Sequence, residues 1–275
     1  MHKVSFEKRN YQTQCSLGEG LYFKEGSLGF VDINKNQIFI ISENDIVSYE
    51  VDNKPSVIFD IKQKILFGSE SGIVSLDPVT QHERLITSFK EQHSFCDYRS
   101  NDGVMSDDLI LLSFMHREKS DSIEGRIYSI KENTIRLIDD ELFIPNSFVN
   151  IGENNFLISD SLLGQIWKFE FNSRGELDNK SLWYENKDNF TPDGACVVGD
   201  EILFAMWDKS CLSAFSFKGE HLRDLKVPFK RPSNCKYNDS TKEIAITSAR
   251  EGMSNLDLEE YPFSGNTLVF NMDSL

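Results

Sequence analysis

The feature that most constrains this chain is an internal repeat: a short apolar strand, a turn, then a second strand alternating apolar and polar residues. Six copies can be written down, at residues 37–41 with 46–50, 64–67 with 72–76, 109–113 with 125–130, 155–158 with 164–169, 201–205 with 212–215, and 243–247 with 267–270. A strand pair of this kind cannot bury both faces alone and must stack on its neighbours, which is the requirement met by propeller blades. The expectation is an all-β fold, a six-bladed β-propeller occupying residues 1–275 as one domain. The first two copies stand closer than the rest, so either their blades are compact or the opening segment around Val4 and Phe6 helps complete the ring. The stretches 118–124 and 255–264 read as excursions between strands of one blade.

Composition agrees. Among 275 residues, 21 Phe, 8 Tyr and 3 Trp favour strands, where flat side chains pack on a pleated surface. A formal charge of −15, from 44 acidic and 29 basic residues, repels phosphate backbones and anionic headgroups, which excludes nucleic acid and membrane as partners. The five cysteines, Cys15, Cys96, Cys196, Cys211 and Cys235, are odd in number and contain no C-x-x-C pair. They suit a reducing compartment. Met1 to Glu7 lacks the apolar core of a signal peptide, and no run is long enough to cross a bilayer, so a cytoplasmic protein is expected.

Polar residues recur at one point of the repeat. Before the first strand of successive copies stand Gly18-Glu19-Gly20, Arg99-Ser100-Asn101-Asp102-Gly103, Ile144-Pro145-Asn146-Ser147, Thr191-Pro192-Asp193-Gly194 and Arg231-Pro232-Ser233-Asn234. Taken singly, Asp-Gly and Pro-Asn are ordinary turn chemistry. In a propeller, however, equivalent positions of different blades meet at one end of the central channel. Glu19, Asn101, Asn146 and Asp193 would then form a hard oxygen cage for one divalent ion, Ca²⁺ first, with Mg²⁺ or Mn²⁺ as alternatives and Zn²⁺ behind them.

Other chemistries find no support. Residues 68–72, Gly-Ser-Glu-Ser-Gly, match a nucleophile elbow only in outline and read as a turn. There is no P-loop, dinucleotide fingerprint, H-E-x-x-H or EF-hand spacing. His2, His82, His93, His116 and His221 form no ligand pattern, and His116 alone follows an inner strand toward the channel mouth.

Six blocks, in order, resemble the signatures of the senescence marker protein/gluconolactonase/luciferin-regenerating enzyme family. They are Leu17-Gly18-Glu19-Gly20, Arg99 to Gly103, Glu124 to Ser129, Pro145-Asn146, Pro192-Asp193-Gly194 and Thr247 to Met253. The resemblance implies a six-bladed propeller with a catalytic divalent metal and lactone hydrolysis, a small-molecule lactone being the substrate. Carried over by motif, Glu19, Asn146 and Asp193 ligate the metal, while Arg99, Asn101 and Glu124 contact substrate; because a lactone carbonyl also needs a deprotonated water, Asp193 is expected to double as general base. The chain departs from the family's usual Pro-Val-Trp at Leu21-Tyr22-Phe23, from Pro-Asn-Gly at Pro145-Asn146-Ser147 and from Gly-Thr-Met at Ser113-Phe114-Met115.

Overall fold

The computed structural model describes residues 8–272 except 25, 43–44, 93–96, 119–123, 133 and 187–189. Val4, Phe6, His2, His93, Cys96 and most of the acidic stretch 118–124 lie outside the described residues. Within them the chain forms six four-stranded antiparallel sheets, the blades of a six-bladed propeller. The innermost strands are Gly18–Lys24, Pro55–Ile61, Tyr98–Ser106, Pro145–Gly152, Pro192–Val198 and Pro232–Asn238. Each lies against the inner strand of the next blade, and the sixth returns to the first.

Each blade is covered on both faces, so its middle strands read as continuous apolar runs. Six hydrophobic clusters fill the six gaps between neighbouring blades. Phe67 and Val74 of blade two, for example, pack with Val31 and Ile38 of blade one, and Phe204 and Phe215 of blade five with Leu157 and Ile166 of blade four. Truncating a fully buried phenylalanine such as Phe204 to alanine costs about 3–5 kcal/mol. The outermost strands, such as Asp45–Glu50 and His221–Lys226, are mostly exposed.

The ring is closed by the chain's opening. Lys8–Tyr11 forms the outer strand of blade six against Thr267–Asn271, with Arg9 opposite Val269 and Tyr11 opposite Thr267. The close spacing of the first two copies has a separate cause, a slip of phase. Residues 37–41 and 46–50 are the third and fourth strands of blade one, whereas every other copy holds a second and a third strand. The true second strand is Ser27–Asp32, and measuring from Ser27 to Ile65 restores a spacing near that of the other blades.

The innermost strands also correct the expectation of turns. Glu19, Asn101, Asn146 and Asp193 lie inside strands, and in all six inner strands the register with the second strand slips at the channel end. A bulge breaks the two-residue alternation, and Gly, Pro, Asn and Asp are the residues that tolerate it, so the sequence there resembles a turn. The stretch 255–264 begins with a short helix, Asn255–Glu260, started by a Ser254 capping box. Residues 70–71 form the expected hairpin turn of blade two. Cys15, Cys196, Cys211 and Cys235 are buried free thiols. Among the described residues no helix is long and apolar enough to cross a membrane.

Candidate functional site

Two aspartates that end second strands set the backbone leading into the site. The carboxylate of Asp32, fully buried, accepts from Ser16 N at 2.8 Å and Leu17 N at 3.1 Å. Asp160 repeats the device in blade four, accepting from Phe143 N at 2.9 Å and Ile144 N at 3.3 Å. Its Oδ1 also takes Leu162 N at 3.0 Å, which fixes the following turn. Buried backbone donors are satisfied by charge-assisted bonds, so the chain enters the inner strands of blades one and four at a set angle. The bulge then aims Glu19 and Asn146 into the channel.

The residue after each of these two takes the left-handed backbone. Gly20 has φ 59°, and a Cβ there would lie 2.3 Å from Ser56 O, so no other residue fits. In blade four the same conformation is held by Ser147, also at φ 59°. Its buried hydroxyl is hydrogen-bonded to the main-chain oxygen of Asp193 and accepts from Ser159 Oγ at 2.8 Å. Further hydroxyls tie one blade to the next: Ser113 Oγ, on the second strand of blade three, donates to Pro145 O at 3.2 Å, and Ser233 Oγ of blade six to Gly18 O of blade one.

A cavity of about 210 Å³ opens at this end of the channel. Its floor is Glu19, Asn101, Asn146 and Asp193; two residues earlier on the same chain segments stand Leu17, Arg99, Ile144 and Thr191; the rim carries Met115, Ser161, Leu162, Trp207 and Glu251. The two-residue offset follows from strand alternation, which returns side chains to the channel at every second position.

The floor is densely polar and buried. Asn146 Nδ2 donates to Asp193 Oδ1 at 2.6 Å, Asn234 Nδ2 to Glu19 Oε2 at 3.3 Å, and Asn101 Nδ2 to Pro145 O at 3.0 Å. Arg99 Nη1 donates to Asn101 Oδ1 at 2.8 Å. Burial, with Asp102 nearby, pushes the Glu19 carboxyl up to about 8. Asp193 is raised well above the carboxylate range, first by burial and then by Glu19 and Asp102. Two buried carboxyls that each resist ionisation therefore share the floor. Burial also raises Asp102 and lowers Arg99, the latter against the pull of Glu251, Glu19 and Asp193.

Crowded carboxyls with raised proton affinity are what a cation site looks like when protons stand in for the ion. The buried Asn234 Oδ1 has no hydrogen-bond partner, a further oxygen facing no donor. Among the described residues no three His, Cys, Asp or Glu side chains form a metal-binding group, so an ion at this floor would need an amide oxygen such as that of Asn146 beside the two carboxylates. A half-turn of that amide exchanges Nδ2 for Oδ1 and offers an oxygen. All-oxygen donors suit a hard ion such as Ca²⁺.

Five of the six expected site residues, Glu19, Arg99, Asn101, Asn146 and Asp193, line one cavity. Glu124 does not; it is exposed ahead of Arg126–Lys131. His116 also stays outside the lining, its Nδ1 beside Glu118 N and O and its ring edge-on to Tyr98 at 5.5 Å. In the sequence Asp102 reads as turn chemistry, yet it is buried and braces the floor, accepting from Gly103 N at 2.8 Å and Phe148 N at 3.3 Å. Trp207 belongs to a turn between strands, and only its position just after Glu201–Met206 could point to it; Glu251 stands just after Glu243–Ser248 inside the Thr247 to Met253 block, which marks the segment without singling out this residue.

Comparison with known proteins places this geometry. Regucalcin from Agrobacterium tumefaciens strain C58, described as a calcium-binding protein, superposes with a TM-score of 0.87 at 19% identity, covering 96% of this chain and 93% of that one. A luciferin-regenerating enzyme gives 0.83 at 14% identity, over 95% and 94% of the two chains. A gluconolactonase from Xanthomonas campestris gives 0.73 at 14%, over 96% and 89%. At such identities these likenesses establish the fold. The family model described as the SMP-30/Gluconolactonase/LRE-like region matches residues 17–250, which takes in all six inner strands and every cavity residue except Glu251, and the chain belongs to that family.

Proposed function

We propose that the protein is a divalent-metal-dependent lactonase that opens a small cyclic ester, the sugar lactones of gluconolactonase being the family precedent. The observation that carries this reading is the pair of buried carboxyls, Glu19 and Asp193, each accepting from a buried asparagine amide at the floor of a ligand-sized cavity. Glu19, Asn146 and Asp193 would hold the ion, Ca²⁺ best fitting their oxygens, with Mg²⁺, Mn²⁺ or Zn²⁺ as alternatives. When bound, the ion supplies Lewis-acid stabilisation of charge developing on the ester carbonyl oxygen.

The chain's own groups do the rest. Asp193, held by Asn146 and anchored through its main chain by Ser147, takes a proton from water as the water oxygen bonds to the carbonyl carbon. The ring C–O bond then breaks, and the same proton passes to the departing ring oxygen, giving a hydroxy acid. Arg99 and Asn101, tied to each other at 2.8 Å, orient the ring and its polar substituents.

The test is a pH-indicator screen of aldonolactones, simple δ-lactones and a phosphotriester, run with Ca²⁺, Mg²⁺, Mn²⁺ and Zn²⁺ in turn. Metal-dependent acid release from a lactone, abolished by Asp193→Asn, is expected. Metal binding by calorimetry with no lactone opened would replace this reading with a calcium-binding propeller, and cleavage of the phosphotriester alone with a phosphoesterase. Full activity in Asp193→Asn would remove Asp193 as the base.

A further inference from the structure

The two upper layers of the cavity differ in character from its floor. Leu17 and Ile144 stand just above Glu19 and Asn146, and Met115, Leu162 and Trp207 complete an arc drawn from blades one, three, four and five. Two hydroxyls interrupt this arc, but both are committed elsewhere. Thr191 Oγ1 donates to Trp207 O at 2.6 Å, and Ser161 Oγ donates to Pro192 O at 2.6 Å. With their protons spent on main-chain carbonyls, neither can donate to a ligand hydroxyl. The polar contacts left above the floor are Arg99 and Glu251, and Glu251 Oε2 already accepts from Asn34 Nδ2 at 2.9 Å.

The apolar arc is also held in place. The Arg231 guanidinium lies over the Trp207 ring at 5.1 Å and is itself pinned to Asp208, with Nε to Oδ1 at 2.7 Å, and to Glu251 O. Leu162, 40% exposed, sits on the turn clamped by Asp160 Oδ1. An exposed leucine and a braced tryptophan facing one cavity keep apolar surface in water until a ligand covers it. A polyhydroxylated ring placed there would lose water from its hydroxyls and gain few partners in return.

We infer that the substrate is a lactone whose ring carries an apolar substituent, alkyl or aryl, with the ester on the polar floor and the substituent against Trp207 and Leu162. This deepens the lactonase reading and rests on it for the word substrate, whereas the pocket's preference can be read without turnover. Lactams serve as probes, since the amide resists hydrolysis while keeping ring shape and carbonyl. Calorimetric titration, with and without added Ca²⁺, would compare valerolactam bearing methyl, propyl and pentyl side chains with gluconolactam.

Affinity should rise by up to about fourfold for each methylene covered, and gluconolactam should bind more weakly than the pentyl compound. Leu162→Asn, on an exposed turn, and Trp207→Ala should both flatten the series. A series without dependence on chain length, binding of none of the lactams, or tighter binding of gluconolactam overturns the inference. If the series behaves as expected while no lactone is hydrolysed, the lactonase reading falls and the apolar pocket stands. If gluconolactone is hydrolysed while the series stays flat, the reverse holds.

Discussion

Replacing Ser147 by glycine and, separately, by alanine separates two forces that meet beside Asp193. An L-residue in the left-handed region costs roughly 1–2 kcal/mol, and Ser147 sits there at φ 59°. Both replacements remove the hydroxyl and therefore its bonds to Asp193 O and Ser159 Oγ. Each bond is worth about 1 kcal/mol net, with a further penalty of about 1 kcal/mol or more for the buried carbonyl left without a donor. Alanine keeps the backbone strain, so Ser147→Ala should be destabilised by about 2–3 kcal/mol. Glycine loses the same bonds and adds chain entropy to the unfolded state, worth about 0.5–1 kcal/mol, yet it relieves the strain. Ser147→Gly should therefore be the more stable of the two by about 1 kcal/mol, or roughly 2–4 °C in thermal midpoint for a chain of this size. That order is the reverse of the one found in ordinary strands. Both variants should lose turnover alike, because both lose the anchor on the Asp193 main chain. Paired thermal melts and rate measurements decide it. If alanine equals or exceeds glycine in stability, the left-handed backbone is not a cost at this position and the reasoning is refuted.

Three further outcomes are expected. Asp160→Ala should lower stability by about 3 kcal/mol or more in urea unfolding, since it strands the amides of Phe143, Ile144 and Leu162; retained stability would mean that water replaces the carboxylate without loss. In metal-free protein, Glu19 near 8 binds a proton in the folded state that the unfolded chain, at the ordinary 4.5, has released. Stability from this group is complete below about pH 4.5 and is lost as pH rises through about 8, and Asp193 acts in the same direction; added Ca²⁺ should reverse the slope, and a melting profile independent of pH and Ca²⁺ would contradict it. Ion binding must displace these protons, so titrations at neutral pH in buffers of different ionisation enthalpy should show net proton release, and buffer-independent heats would argue against the cage.

The blade count was readable because a sheet covered on both faces must repeat its apolar runs. The slip in blade one arose from the same cause. Leu28-Gly29-Phe30-Val31 is short, wholly buried and runs into Asp32, so it offered no alternation to distinguish it from a link between strands. At the site, Glu19, Asn146 and Asp193 could be found because the bulge recurs in every blade and demands residues that look like turns. The same bulge hid Asp102, which is buried as a brace while its neighbour Asn101 faces the cavity. Glu124 shows the limit of motif transfer, since the segment matches while the side chain stands in solvent. Trp207 and Leu162 were silent because a rim is assembled from turns of separate blades, and no local pattern encodes which turns will meet.

The closure of blade six has a consequence for how this protein comes into being. Lys8–Tyr11 is made long before its partner strand Thr267–Asn271. Until blade six is made, blade one has no finished neighbour on one side, and Glu19 lacks Asn234 of the inner strand Pro232–Asn238. The ring therefore closes late: a growing chain can build the earlier blades in order, but the floor of the cavity is assembled only once blade six has been made.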